Sequence, residues 1–144
     1  MILDALANLN WIAVAVSAFV ALGIGVAWFA PRAMGTIWAH HVTRYTGIPA
    51  AEIAAAASQP PALGAWLAAI AINAVVLALA LQLAGAASAW EGAVIALILG
   101  VGLGATLNTW PLIFARMPRA WWLLNTAAFL VMQLAMGAIL GAWR

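Results

Sequence analysis

The sequence predicts an all-α integral membrane protein, a four-helix bundle with a short interfacial helix after the first span. Three observations carry that expectation. The chain has 144 residues, of which 69% are hydrophobic and 6% charged, and its mean hydropathy is +1.13. Soluble domains carry about 25% charged residues, so there is too little charge here to wet the surface of a globule. Four apolar runs, at about 11–30, 62–84, 90–110 and 120–142, each approach the ~20 residues that cross ~30 Å of hydrocarbon. Tryptophans mark their limits: Trp11 to Trp28 spans ~26 Å as a helix, Trp90 to Trp110 ~30 Å, and Trp122 to Trp143 ~32 Å. With Trp38 just beyond the first run, these seven are the expected interfacial anchors, since indole rings favour the headgroup layer.

The chain is expected to form one membrane domain over 1–144. Met1 to Asn10 carries Asp4 and no Lys or Arg, so it lacks the cationic start of a secretory leader. The first run is also longer than a leader's apolar core, which predicts a retained span. It closes on Trp28-Phe29-Ala30-Pro31-Arg32, where the proline stops the hydrogen-bond ladder and the arginine requires headgroups or water. The connection at 32–61 is too long for a turn. Within it Met34, Ile37, Trp38, Val42 and Tyr45 follow helical spacing opposite Thr36, His40, Thr43 and Arg44, as in an amphipathic helix lying in the interface. Gly47 is placed to end that helix and Pro49 to open a second, with Glu52 in its first turn. The second connection, 85–89, is a tight turn. The third, 111–119, holds Pro111, Arg116, Pro118 and Arg119 around apolar residues and is expected to hug the membrane surface.

Orientation follows from the arginines, since the chain has no lysine. Arg32, Arg44, Arg116 and Arg119 lie in connections one and three, against Arg144 on the other side, which also holds Asp4 and Glu91. The excess predicts that connections one and three face the cytoplasm and both termini the outside.

Small residues recur every fourth position at Ser17-Ala21-Gly25, Ala96-Gly100-Gly104 and Gly137-Gly141. Such stripes let helix backbones approach closely, either within the bundle or across a dimer face, and packing inside the bundle is the expected use. The polar residues of the runs include Asn73, Asn125 and Gln133, and none is ionisable. A proton or ion pump normally carries an ionisable group at that depth. Asn73 and Gln133 are expected to bond between helices, while Asn125, Phe129, Met132, Gln133 and Met136 share a face that lines a cavity or meets the second span.

Several function classes are disfavoured. Five scattered arginines make no nucleic-acid footprint, and zero cysteines exclude disulfides, thiolate nucleophiles and Cys-ligated metal or iron–sulfur sites. His40 and His41 are adjacent, so on a helix they diverge by about 100° and grip one metal poorly. There is no Ser/His/Asp set, phosphate loop or close pair of acids. No enzyme, cofactor or metal is expected.

Asn10-Trp11, Gly25-x-x-Trp28-Phe29-Ala30-Pro31, Met34-Gly35-x-x-Trp38, Asn125 and Met136-Gly137-Ala138-Ile139-Leu140-Gly141 together carry a resemblance. On these the chain resembles a family of small four-helix bacterial membrane proteins of unknown function, the seventeen-sixty-one family. Members often have a Tyr-Ser pair where this chain has Phe29-Ala30. The resemblance implies a bacterial inner membrane and no settled activity, so it assigns no functional residue.

The leading functional expectation is a non-enzymatic structural or accessory component, packing in the lipid bilayer with itself or a larger membrane complex. The alternative is a channel or carrier for a small neutral or apolar molecule. A central cavity touching Asn73, Asn125 and Gln133 would favour it.

Overall fold

The computed structural model describes residues 2–143. Arg144, one of the charges on which the expected orientation rests, lies outside the described residues. Every regular element described is helical: α1 Ile2–Ala7, α2 Trp11–Trp28, α3 Gly35–Thr46, α4 Ala50–Ala57, α5 Pro60–Leu83, α6 Ala89–Leu99, α7 Trp110–Ile113 and α8 Arg119–Ala142, with a π-helical stretch at Gly100–Ala105 continuing α6. Four helices are long and apolar enough to cross a membrane: Trp11–Trp28, Pro60–Leu83, Ala89–Ile113 and Arg119–Ala142.

Helix ends follow local chemistry. The Ala13 N–H donates to Oδ1 of Asn10 at 3.0 Å, capping α2. After Trp28 the chain turns sharply: the Met34 N–H reaches the Trp28 carbonyl at 3.0 Å, and the Gly35 N–H the Ala30 carbonyl at 3.1 Å. Gly35 lies so close to the Phe29 and Ala30 carbonyls that a Cβ would sit 2.8 Å from the latter. This turn is why glycine follows Met34, and it brings Trp38 edge-on to Phe29 with ring centroids 5.7 Å apart. Gly47 ends α3 at φ 76°, a left-handed cap that glycine adopts without a Cβ penalty. Pro49 precedes α4, which has Glu52 in its first turn. The second span begins at Pro60, two residues earlier than expected, because a proline in the first turn forfeits no hydrogen bond. Ser88 caps α6, its Oγ accepting from the Glu91 N–H at 3.2 Å, while the Glu91 carboxylate accepts from the Ala87 N–H, one residue before the cap, at 2.6 Å.

Three features were not expected from the sequence. A short α1 precedes the first span. The third span contains π-helical turns at Gly100–Ala105, and it extends past Trp110 to finish as the short α7.

α8 is the hub. It packs on α6, α2 and α5, and α2 also packs on α5, whereas α5 and α6 touch little despite their short connection. The core is built from Ala13, Ala21, Ala74, Leu77, Leu81, Ala96 and Met136, with Ser17 also buried. Outside it, Phe19, Ile72, Ile98 and Leu107 are each more than 60% exposed. A helix surface that is apolar all round needs hydrocarbon against it, as in a multi-pass membrane protein.

Candidate functional site

The three small-residue stripes all lie against other helices of the same chain. Ser17, Ala21 and Gly25 are buried along α2, and a Cβ on Gly25 would sit 2.6 Å from the Trp66 ring and 3.2 Å from the Met132 sulfur. Ala96 and Gly100 are buried along the third span. Gly137 and Gly141 meet the Gly92 and Ser88 backbone and the Ala96 methyl, with 3.0 Å between a Cβ on Gly141 and the Gly92 Cα. Gly92 therefore belongs to this contact as fully as Ala96. Its signal was present in the spacing, since Ser88, Gly92 and Ala96 continue the same four-residue interval. Gly104 lies directly beneath the Phe129 ring.

Of Asn73, Asn125 and Gln133, the fold unites two. Asn73 Nδ2 donates to Gln133 Oε1 at 3.0 Å, and Gln133 Nε2 returns a longer bond to Asn73 Oδ1 at 3.5 Å. Gln133 is 4% exposed, so the pair bridges α5 and α8 in the core. Asn73→Leu should cost about 1–3 kcal/mol, because it strands a buried amide, whereas adding Gln133→Leu should restore most of the loss. Thermal unfolding of both variants in micelles checks this. Asn125 is separate: its Nδ2 donates to the Trp121 carbonyl at 2.8 Å, within its own helix. A second interhelical pair comes from residues not singled out in the sequence, Asn108 Nδ2 to Thr126 Oγ1 at 3.2 Å.

Asn108, Asn125 and Thr126 share a cavity of about 1370 Å³. It lies where α2 and the third span finish and α5 and α8 begin. Val26, Trp66, Ala128, Phe129 and Met132 line it from the bundle, Gly104 and Leu107 from the third span. Trp38, Ala39 and Thr43 of α3 and Ala50, Ile53 and Ala54 of α4 line its other side. Asn73 and Gln133 do not reach it. No residue of α3 or α4 is buried, so this helical pair covers the cavity without entering the core. At the opposite end a pocket of about 150 Å³ is lined by Asn8, Asn10, Gln82 and Trp143. Ala74, Leu77 and Met136 are buried in the core, with Gln133 beside them.

The tryptophans form two layers. Trp11 and Trp90, exposed, stand with Trp143 at the end where α2 and α6 begin and α8 finishes. Trp28, Trp38, Trp110 and Trp122 stand at the cavity end, where Trp110 is 62% exposed. His40 lines the cavity, and its ring meets that of His41 edge-on at 5.7 Å. Among the described residues no group of three His, Cys, Asp or Glu is placed to hold a metal ion.

The four apolar helices and the helical pair α3–α4 define a class, the small all-α membrane proteins with four candidate spans. Within it, the family described as "Protein of unknown function (DUF1761)" matches residues 12–141, and the chain belongs to that family. No curated protein and no solved structure matches the chain.

Proposed function

We propose that this protein is a non-enzymatic binding protein or carrier, which takes an apolar or amphipathic molecule from the bilayer into the cavity beneath α3 and α4. The cavity carries the proposal. Sites for drug-sized ligands run about 300–1,000 Å³ and are mostly apolar with a few placed polar groups. This one, at about 1370 Å³, is larger, and its lining is mainly Ala, Trp, Phe, Met and Leu, with Asn108, Asn125 and Thr126 the polar groups from the bundle. The burial of Ala74, Leu77 and Met136 in the core supports a carrier or binder over a channel. The small-residue stripes are engaged within the chain, the use expected of them, so they lend no support to a homo-oligomer or larger complex.

Ala51 and Ala54 line the cavity from α4 and are exposed, so filling the space from there leaves the core intact. Delipidated protein titrated with 1-bromododecane should show saturable quenching of Trp66 emission, read against Trp66→Phe. Ala51→Phe/Ala54→Phe should weaken it at least about tenfold, a change of 1.4 kcal/mol. Identical, unsaturable quenching in both proteins overturns the proposal.

The arginines support a cell-membrane orientation with the cavity end in the cytoplasmic leaflet. A reporter active only in the cytoplasm should stay silent when fused after the last span, and active when placed between α3 and α4. The reverse pattern overturns this orientation.

A further inference from the structure

Four buried side-chain polar atoms lack a hydrogen-bond partner among the described residues: Nε1 of Trp28, Trp38 and Trp122, and Oγ1 of Thr43. All four stand at one end of the molecule. Trp28 closes α2, Trp38 and Thr43 belong to α3, and Trp122 lies in the first turn of α8. At the other end, the side chains of Asn8, Asn10, Ser88 and Glu91 have partners. An indole N–H can only donate, so what this end lacks is acceptor oxygen. Native proteins rarely leave buried donors unmet, and each exception calls for an explanation.

The charges point the same way. Arg32 follows the cavity-lining Pro31, and Arg44 follows the cavity-lining Thr43. No carboxylate lines the cavity, and of the three acids only Glu52 lies on this side of the membrane helices. An apolar cavity with unmet donors and arginines beside it complements an amphiphile with an acceptor-rich, negative head.

We propose that the cavity holds an anionic glycerophospholipid from the surrounding leaflet. One acyl chain lies between α3–α4 and the bundle, against Trp66, Phe129 and Met132. The ester and phosphate oxygens supply acceptors to Trp38 and Thr43, and Arg32 and Arg44 set the preference for negative charge. Trp38 Nε1 and Thr43 Oγ1 are covered by neighbouring side chains, so an acceptor reaches them only when the ring or hydroxyl turns toward the cavity. This deepens the binding-protein reading and rests on it.

The test is native mass spectrometry of the full chain, delipidated in mild detergent and supplied with dioleoyl phosphatidylglycerol, dioleoyl phosphatidylcholine or oleate. One phosphatidylglycerol should be retained per chain under activation that strips phosphatidylcholine. Each arginine near an anionic headgroup contributes about fivefold, so Arg32→Gln/Arg44→Gln should lower phosphatidylglycerol binding roughly 30-fold, to the phosphatidylcholine level. Ala51→Phe/Ala54→Phe should reduce the binding of both lipids. Equal retention of the two lipids by the unaltered chain overturns the anionic headgroup while bromododecane binding keeps the cavity reading. Retention of oleate as strong as that of phosphatidylglycerol overturns the glycerophospholipid. Failure to bind any lipid overturns this inference, and failure to bind bromododecane as well overturns both.

Discussion

Gly137→Leu should destabilise the fold by more than about 3 kcal/mol, at the severe end of overpacking substitutions. A Cβ at this position would overlap the Ala96 methyl and the Gly92 carbonyl, and would lie 3.0 Å from the Gly92 carbonyl carbon. The neighbours are largely backbone, which cannot turn aside as the tip of a side chain can. Relief requires α6 and α8 to separate, and α8 is the helix on which α2, α5 and α6 all pack. Gly102→Leu is the control, since nothing lies within 4 Å of a Cβ there, and it should change stability by no more than about 0.5 kcal/mol. Thermal unfolding in micelles, followed by circular dichroism and size-exclusion, compares the two. Equal tolerance would mean that the helices are not in backbone contact.

Gly104→Leu should cost about 2–3 kcal/mol, and Phe129→Ala should recover much of that in the double variant. The Phe129 ring occupies the space a side chain at position 104 would need. Gly104 lies within the π-helical turns at Gly100–Ala105, and the glycines at 100 and 104 leave room for Leu130 and Phe129 of α8. A double-mutant cycle on unfolding free energy should therefore show coupling of about 2 kcal/mol. Simple additivity would separate Phe129 from Gly104. Because Gly104 and Phe129 also line the cavity, the same variants should alter bromododecane binding.

Much of the architecture was legible in the residues because it is local. Asn10, Gly47, Pro49 and Pro60 set helix ends through neighbours within a few positions. A helix stands where one was expected around Met34 to Tyr45, as α3, and its stop is Gly47. The candidate site was legible only in fragments. Asn73 and Gln133 stood out as amides in apolar runs, yet 60 positions separate them and nothing local says that they meet. Asn125 looked equivalent to them but bonds to its own helix and faces the cavity. Ser88-x-x-Glu91 and Gly92 stand in the sequence with little to mark them, since one glycine among many small residues carries little contrast.

Composition by itself determined the solvent of this chain, its four candidate spans and the aromatic layers that bound them. Each of these depends on the transfer of individual side chains between water, headgroups and hydrocarbon, which adds along the sequence without reference to partners. Only the tertiary structure decided that α8 is the hub, that the stripes face inward and that a cavity opens beneath α3 and α4. Helices rich in Ala, Gly and Leu offer several nearly equivalent faces, and lipid rewards none of them by burial. The choice falls to close fit between backbones, which exists only once the helices are side by side.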